Sequence, residues 1–187
     1  MDLSTRALKL WQSLTSRVRA TAYRTLGMQI DGRCWLQAIE WPLRPRCITL
    51  GDGAALDRGI TLLATNDAAR IVIGPRTYIN RHTIIDASEL VEIGADAMIG
   101  PGCYLTDHDH SVSADATPGS QPLISAPTHL GARCWLGAHV IVLKGVTIGE
   151  GTVVGAGSVV TKSLPTQVVA VGNPARVIKS IEDGRVE

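Results

Sequence analysis

Residues 130–160 read LGARCWLGAHVIVLKGVTIGEGTVVGAGSVV, which sets Leu130, Leu136, Val142, Ile148, Val154 and Val160 six residues apart, four of them followed by glycine. A period of six matches neither the 3.6 of a helix nor the two of an isolated strand. It is the mark of a solenoid of short strands, in which one aliphatic side chain per strand points inward and small residues allow the backbone to turn each corner.

The same position recurs upstream in triplets: Leu50, Leu56, Leu62; Ile73, Ile79, Ile85; and Ile93, Ile99, Leu105. The first members of successive triplets lie 23, 20, 37 and 18 residues apart, so the surplus over a coil of eighteen is 5, 2, 19 and 0. Every surplus follows the third hexapeptide, which places all insertions at one corner of a triangular coil. Ile30-Asp31-Gly32-Arg33-Cys34-Trp35-Leu36 echoes Leu130-Gly131-Ala132-Arg133-Cys134-Trp135-Leu136, so the coils begin near Ile30. A sandwich or a doubly wound sheet does not account for this spacing, because no helical apolar period separates the strands.

Composition agrees. The chain of 187 residues has no Phe, only 4% aromatics and 19 Gly, while Ile and Val supply 32 residues. Such a core is filled by branched aliphatics and turned by glycine. With 18 Lys+Arg against 17 Asp+Glu, the net charge of +1 gives no global reason to bind nucleic acid. The apolar runs are too short to span a membrane. The start of the sequence lacks the apolar block and small-residue site of a secretory signal, which leads us to expect a cytoplasmic protein. Cys34, Cys47, Cys103 and Cys134 form no CxxC pair and read as buried thiols in a reducing compartment.

Residues 3–26 carry Leu3, Ala7, Leu10, Trp11, Leu14, Val18 and Ala22 at steps of three or four, an amphipathic helix by period. Arg6, Lys9, Arg17, Arg19 and Arg24 stand against Asp2 alone. Two uses fit: a cap on the exposed edge of the first coil, and peripheral contact of residues 1–26 with an anionic membrane, at the inner membrane surface. At the other end Leu164-Pro165 breaks the pattern, Gly172-Asn173-Pro174 makes a turn, and a short terminal segment follows.

The 19-residue surplus opens with Thr106-Asp107-His108-Asp109-His110-Ser111. Long loops on rigid scaffolds concentrate function. A carboxylate beside a histidine orients the ring and raises its basicity, so a general base is expected here.

The stretch from Leu130 to Lys162, continued by Gly172-Asn173-Pro174-Ala175-Arg176-Val177-Ile178, resembles the hexapeptide-repeat acyltransferases, in particular sugar O-acetyltransferases of the galactoside and maltose type. The resemblance covers about residues 47–180. It implies an all-β fold, a left-handed parallel β-helix, and does not extend to the N-terminal helix; with the periods above this gives an amphipathic helical segment at 1–29 and the acyltransferase domain at 30–187. That domain carries the extruded loop 106–129 and a C-terminal cap at 164–187.

The resemblance also implies transfer of an acetyl group from acetyl-CoA to a sugar hydroxyl by direct attack, with His108 taking the acceptor proton. Counting in sixes from Leu105 favours His110 instead. Asn80, Asp86 and Asp107 are expected at the acceptor. Trp135, Gly137, Ala138, Gly155 and Ala156 are expected along acetyl-CoA, with the Ala138 amide as oxyanion donor, and Thr161, Lys162, Arg176 and Lys179 at its phosphates. Relatives form trimers with shared active sites, so a homotrimer is expected.

N-acetylation of an amino sugar or another amine is the main alternative, and a non-catalytic solenoid or a metal-dependent hydrolyase a remote one. Zinc on His108 and His110 with His82 or His139 would follow the carbonic anhydrases of this solenoid class, but their histidines are spaced more widely. No metal is expected.

Overall fold

A computed structural model describes residues 3–181, apart from the side chains of Leu3, Arg6 and Pro118. Asp2 and the last six residues of the expected cap therefore lie outside the described residues. After the helix α1 (Leu3–Thr25) the chain winds into seven coils of a left-handed parallel β-helix with three faces.

The first face stacks Gln29–Ile30, Ile48–Leu50, Arg70–Ile73, Leu90–Ile93, Thr128–Leu130 and Thr147–Ile148. The second stacks Trp35–Leu36, Ala55–Leu56, Tyr78–Ile79, Met98–Ile99, Trp135–Leu136 and Val153–Val154, then Val168–Gly172. The third stacks Thr61–Ala64, Ile84–Ala87, Tyr104–Thr106, Ile141–Val142 and Val159–Val160.

The periodic aliphatics form three inward columns. Ile30, Leu50, Ile73, Ile93, Leu130 and Ile148 align by strand register in one, and Leu36, Leu56, Ile79, Ile99, Leu136, Val154 and Ala170 in the next. Leu62, Ile85, Leu105, Val142 and Val160 make the third. Nearly all are shut off from solvent. Each such side chain contributes about 1.5–3 kcal/mol by leaving water.

Inside the corners sit small residues. Thr77, Thr83, Cys103 and Cys134 bond through their side chains to the carbonyls of Gly94, Gly100, Gly137 and Gly149. Burial pushes the Cys103 and Cys134 thiols up, away from reactive thiolate. Among the described residues all four cysteines are free.

The insertions leave the corner between third and first faces, as the spacing requires. The longest departs from a plain loop: His108–His110 pairs antiparallel with Leu123–Ser125, making a hairpin rooted on the third face. At the C-terminal end the repeat outlasts its apparent break. Leu164 bridges Ile148 in parallel, and Val168–Gly172 continues the second face before Ala175–Ser180 folds back on it.

α1 covers coil 1 through buried Ser16, Ala20 and Tyr23, with arginines reaching the coil edge beside them. Leu36 N donates to Ser16 Oγ at 2.8 Å, and Arg19 Nη1 donates to Leu36 O at 3.2 Å. Arg24 donates to Ile30 O and Gly32 O. The edge of a first coil presents unpaired backbone groups, and these side chains satisfy them.

Candidate active site

His108 stands two residues past the strand Tyr104–Thr106, where the chain leaves the third face to enter the hairpin. Asp107 precedes it and is completely buried. Its Oδ1 accepts from Ser88 N at 2.7 Å and its Oδ2 from Glu89 N at 2.6 Å and Leu90 N at 2.5 Å. Those amides form the corner between coils 3 and 4. The fourth partner is His108 Nδ1, 2.9 Å from Oδ1.

With donors on both oxygens, Asp107 can only accept. Nδ1 therefore carries the proton and Nε2 keeps its lone pair, the arrangement a general base requires. Asp107 was expected at the acceptor. It has no exposed surface, and both of its oxygens are engaged.

Nε2 looks across the third face to Asp86 Oδ2, 3.9 Å away. Tyr104 Oη donates to the same oxygen at 3.2 Å, while Asp86 Oδ1 is buried and has no partner. Burial pushes the Asp86 carboxyl up, opposed by the neighbouring His108 ring and the Tyr104 hydroxyl. A buried oxygen without a donor beside a base suits an incoming hydroxyl. His110 is exposed and further out on the hairpin. Lys144 Nζ steadies the hairpin root, 3.2 Å from Asp109 Oδ2 and donating to Ile124 O.

Asn80 occupies a different corner, between the second and third faces, on a ridge built from equivalent turns. Each turn there places one amide at its second position. In coils 2 and 3 that amide is satisfied by the preceding side chain, Arg58 N by Asp57 Oδ1 and Arg81 N by Asn80 Oδ1. Coil 4 has Pro101, which has no N–H. Coils 5 and 6 have Ala138 and Ala156, each preceded by glycine, and among the described residues neither amide has a hydrogen-bond acceptor. Two free donors thus stand one rung apart on a ridge without side-chain bulk, a feature that the spacing of small residues only suggested.

Packing alone dictates the glycines of this ridge. A Cβ on Gly137 would lie 2.6 Å from Ala156 N, and one on Gly155 2.7 Å from Val171 Cγ1. Val171 pairs with Arg176, which brings that cation to the end of the ridge. Thr161 and Lys162 are exposed just after the coil 6 strand of the third face, and Lys179 lies on the returning strand. Trp135 is half exposed on the second face.

The expected site residues therefore fall into two groups in one chain. His108, Asp107 and Asp86 lie at one end of the third face's strands, and Asn80, Gly137, Ala138, Gly155 and Ala156 at the other. His82 and His139 lie on the second of these corners, beside Gly59 and Gly102, and are not brought to His108. Among the described residues no group of three His, Cys, Asp or Glu could hold a metal.

The bacterial transferase hexapeptide family, in its six-repeat form, matches residues 127–162. A Mycobacterium tuberculosis protein named as an acetyltransferase is 35% identical over 92% of this chain and 57% of its own length. The galactoside O-acetyltransferase of Escherichia coli is 39% identical over 62% of this chain and 56% of its own. An Escherichia coli protein named as an O-acetyl transferase of lipopolysaccharide biosynthesis is 37% identical over 70% of this chain and 67% of its own. The chain thus spans little more than half the length of the first two.

Among solved structures, a Vibrio cholerae hexapeptide-repeat acetyltransferase complexed with acetyl coenzyme A superposes with a TM-score of 0.68 at 25% identity, over 94% of this chain and 83% of that one. An N-acyltransferase of Bacillus cereus shares the fold, with a TM-score of 0.75 at 22% identity over 87% and 88%.

Proposed function

The chain belongs to the bacterial hexapeptide-repeat acyltransferases, and from that premise we propose that it transfers an acetyl group from acetyl-CoA to a sugar hydroxyl in surface-glycan synthesis. The observation that carries the reading is the buried Asp107 carboxylate holding His108 Nδ1 at 2.9 Å, which leaves Nε2 basic. Asp86 orients the acceptor, and Asn80 contacts it with the amide nitrogen that its bond to Arg81 N leaves over.

In this reading Nε2 removes the acceptor O–H proton as the oxygen attacks the thioester carbonyl. The tetrahedral oxyanion accepts from Ala138 N. When it collapses, the carbon–sulfur bond breaks and the departing sulfur takes the proton back from Nε2, giving an acetyl ester and free CoA. No acyl-enzyme is needed. The pantetheine arm lies along Ala138 and Ala156 beside Trp135, and Thr161, Lys162, Arg176 and Lys179 meet the phosphates.

Both groups of residues are needed at once, which supports a trimer with shared sites. The second face turns Trp35, Tyr78, Met98 and Trp135 outward and the third turns out Ile84, Tyr104 and Ile141, whereas the first shows, beside Val72, the polar Thr49, Glu92, His129 and Thr147. Two apolar faces and one polar face suit threefold packing, the second face of one copy on the third face of the next. α1 holds the assembly at a membrane surface; no helix of the described residues is long and apolar enough to cross one.

The test is release of free thiol from acetyl-CoA across sugars, sugar nucleotides and amines. Turnover with sugars and its loss in His108→Ala support the reading. Turnover with amines alone assigns N-acetylation, and CoA binding without turnover on any acceptor removes the enzyme.

A further inference from the structure

α1 is pressed onto coil 1 through Ser16, Ala20 and Tyr23, which are buried. At 100° per residue Trp11, Leu14 and Val18 fall on the opposite side, and they are 64%, 56% and 62% exposed. The apolar stripe thus faces away from the solenoid. It continues past the helix. Trp41 packs against the Tyr23 ring with centroids 5.4 Å apart, yet it is 63% exposed and Leu43 is 78% exposed. Leu26 and Leu43 line one groove of about 530 Å³ together with Arg46, Arg70 and an ion pair, Arg44 Nε lying 3.1 Å from Asp67 Oδ1.

Because a solenoid lays its sequence out along one axis, a charge gradient in sequence becomes a gradient in space. Among the described residues, 3–81 hold 12 Lys+Arg and 5 Asp+Glu, while 82–181 hold 5 and 8. α1 itself has no acidic residue. An end that is both apolar and cationic repels a copy of itself and attracts an anionic amphipathic surface.

We infer that the N-terminal end of the solenoid docks end-on to a bilayer rich in anionic phospholipid, with Trp11, Leu14, Trp41 and Leu43 entering the interface and the exposed Arg46 facing the headgroup phosphates. This deepens the membrane contact of α1 proposed above and rests on it. The geometry also limits the acceptor. His108 leaves coil 4, three rungs of about 4.8 Å above coil 1, and α1 adds a layer of about 10 Å. With the stripe sunk 5–10 Å into the headgroups, the base stands roughly 15–20 Å above the membrane. An acceptor anchored in the same bilayer is therefore a glycan several sugars long, reacting away from its anchor.

The experiment floats the full chain with vesicles of phosphatidylcholine, alone or with about 30% phosphatidylglycerol. Binding at least tenfold greater on the anionic vesicles is expected, with at least tenfold loss in both Trp11→Glu/Leu14→Glu and Trp41→Ser/Leu43→Ser. Circular dichroism and sedimentation identical to the parent show that each variant folds. If only the helix variant loses binding, end-on docking is wrong and the α1 contact stands. If the parent does not float, or neither variant changes it, both fail. A parent that sediments at twice the assembly mass of Trp11→Glu/Leu14→Glu shows a second copy on the stripe and overturns the inference.

Discussion

Asp107 Oδ1 lies 2.9 Å from Nδ1 of the residue that follows it, His108, and the same carboxylate accepts three amides from the corner below. One side chain therefore sets the tautomer of the base and locks coil 3 to coil 4. Asp107→Ala removes both functions, because a methyl group offers no acceptor to His108 Nδ1 or to the amides of Ser88, Glu89 and Leu90. We expect turnover to fall on the order of 10²-fold or more and stability to drop by about 1–3 kcal/mol, read by initial rates and by denaturant unfolding. Loss of stability with normal turnover would leave Asp107 a purely structural group.

The two hairpin histidines separate cleanly. His108→Ala should reduce thiol release on the order of 10²-fold while acetyl-CoA still binds. His110→Ala, exposed and further from the third face, should change it less than about threefold. The reverse order would move the base to His110.

Ala138 offers a backbone test that leaves the fold intact. Pro101 already occupies the equivalent turn of coil 4, so Ala138→Pro is accommodated and removes only the N–H. Turnover should fall on the order of 10²–10³-fold with an unchanged melting temperature. An active Ala138→Pro enzyme would place the oxyanion donor elsewhere.

Asp86 gives a signed dependence on pH. Its carboxyl is raised by burial. A group raised in the folded state stabilises the fold below its unfolded pKa, and that contribution is lost as pH climbs through its folded value. Asp86→Asn has no such loss. Its melting temperature relative to the parent should therefore rise as pH climbs above about 4; a difference that stays level would contradict the burial account.

Sedimentation at micromolar concentration should show three chains. Met98→Arg sets a charge in the middle of the outward column of the second face and should yield monomers. If the sites are shared, turnover disappears with the trimer. Active monomers would return the whole site to one chain.

The coils were legible because each inward position must be filled by an aliphatic of similar size. Leu50, Ile73 and Ile93 meet identical surroundings on successive rungs, so the requirement repeats in the sequence. The side of α1 that meets coil 1 was not legible. An apolar period suggests an apolar partner, but the edge of a first coil offers carbonyls and amides, and Ser16, Arg19 and Arg24 answer those instead. The burial of Asp107 escaped for a related reason: its partners are main-chain groups of Ser88, Glu89 and Leu90, which leave no trace in side-chain spacing. The free amides of Ala138 and Ala156 became visible only when each turn was set against Asp57, Asn80 and Pro101 on the same ridge.

All departures from eighteen residues emerge along one vertical seam of the prism. The other two seams are straight, so neighbouring copies and a long flexible substrate can be fitted to them once and left undisturbed. New acceptor specificity can then arise by lengthening or trimming whatever hangs from the third seam, as the span from His108 to Ser125 already does, without reopening the contacts that hold the rest together.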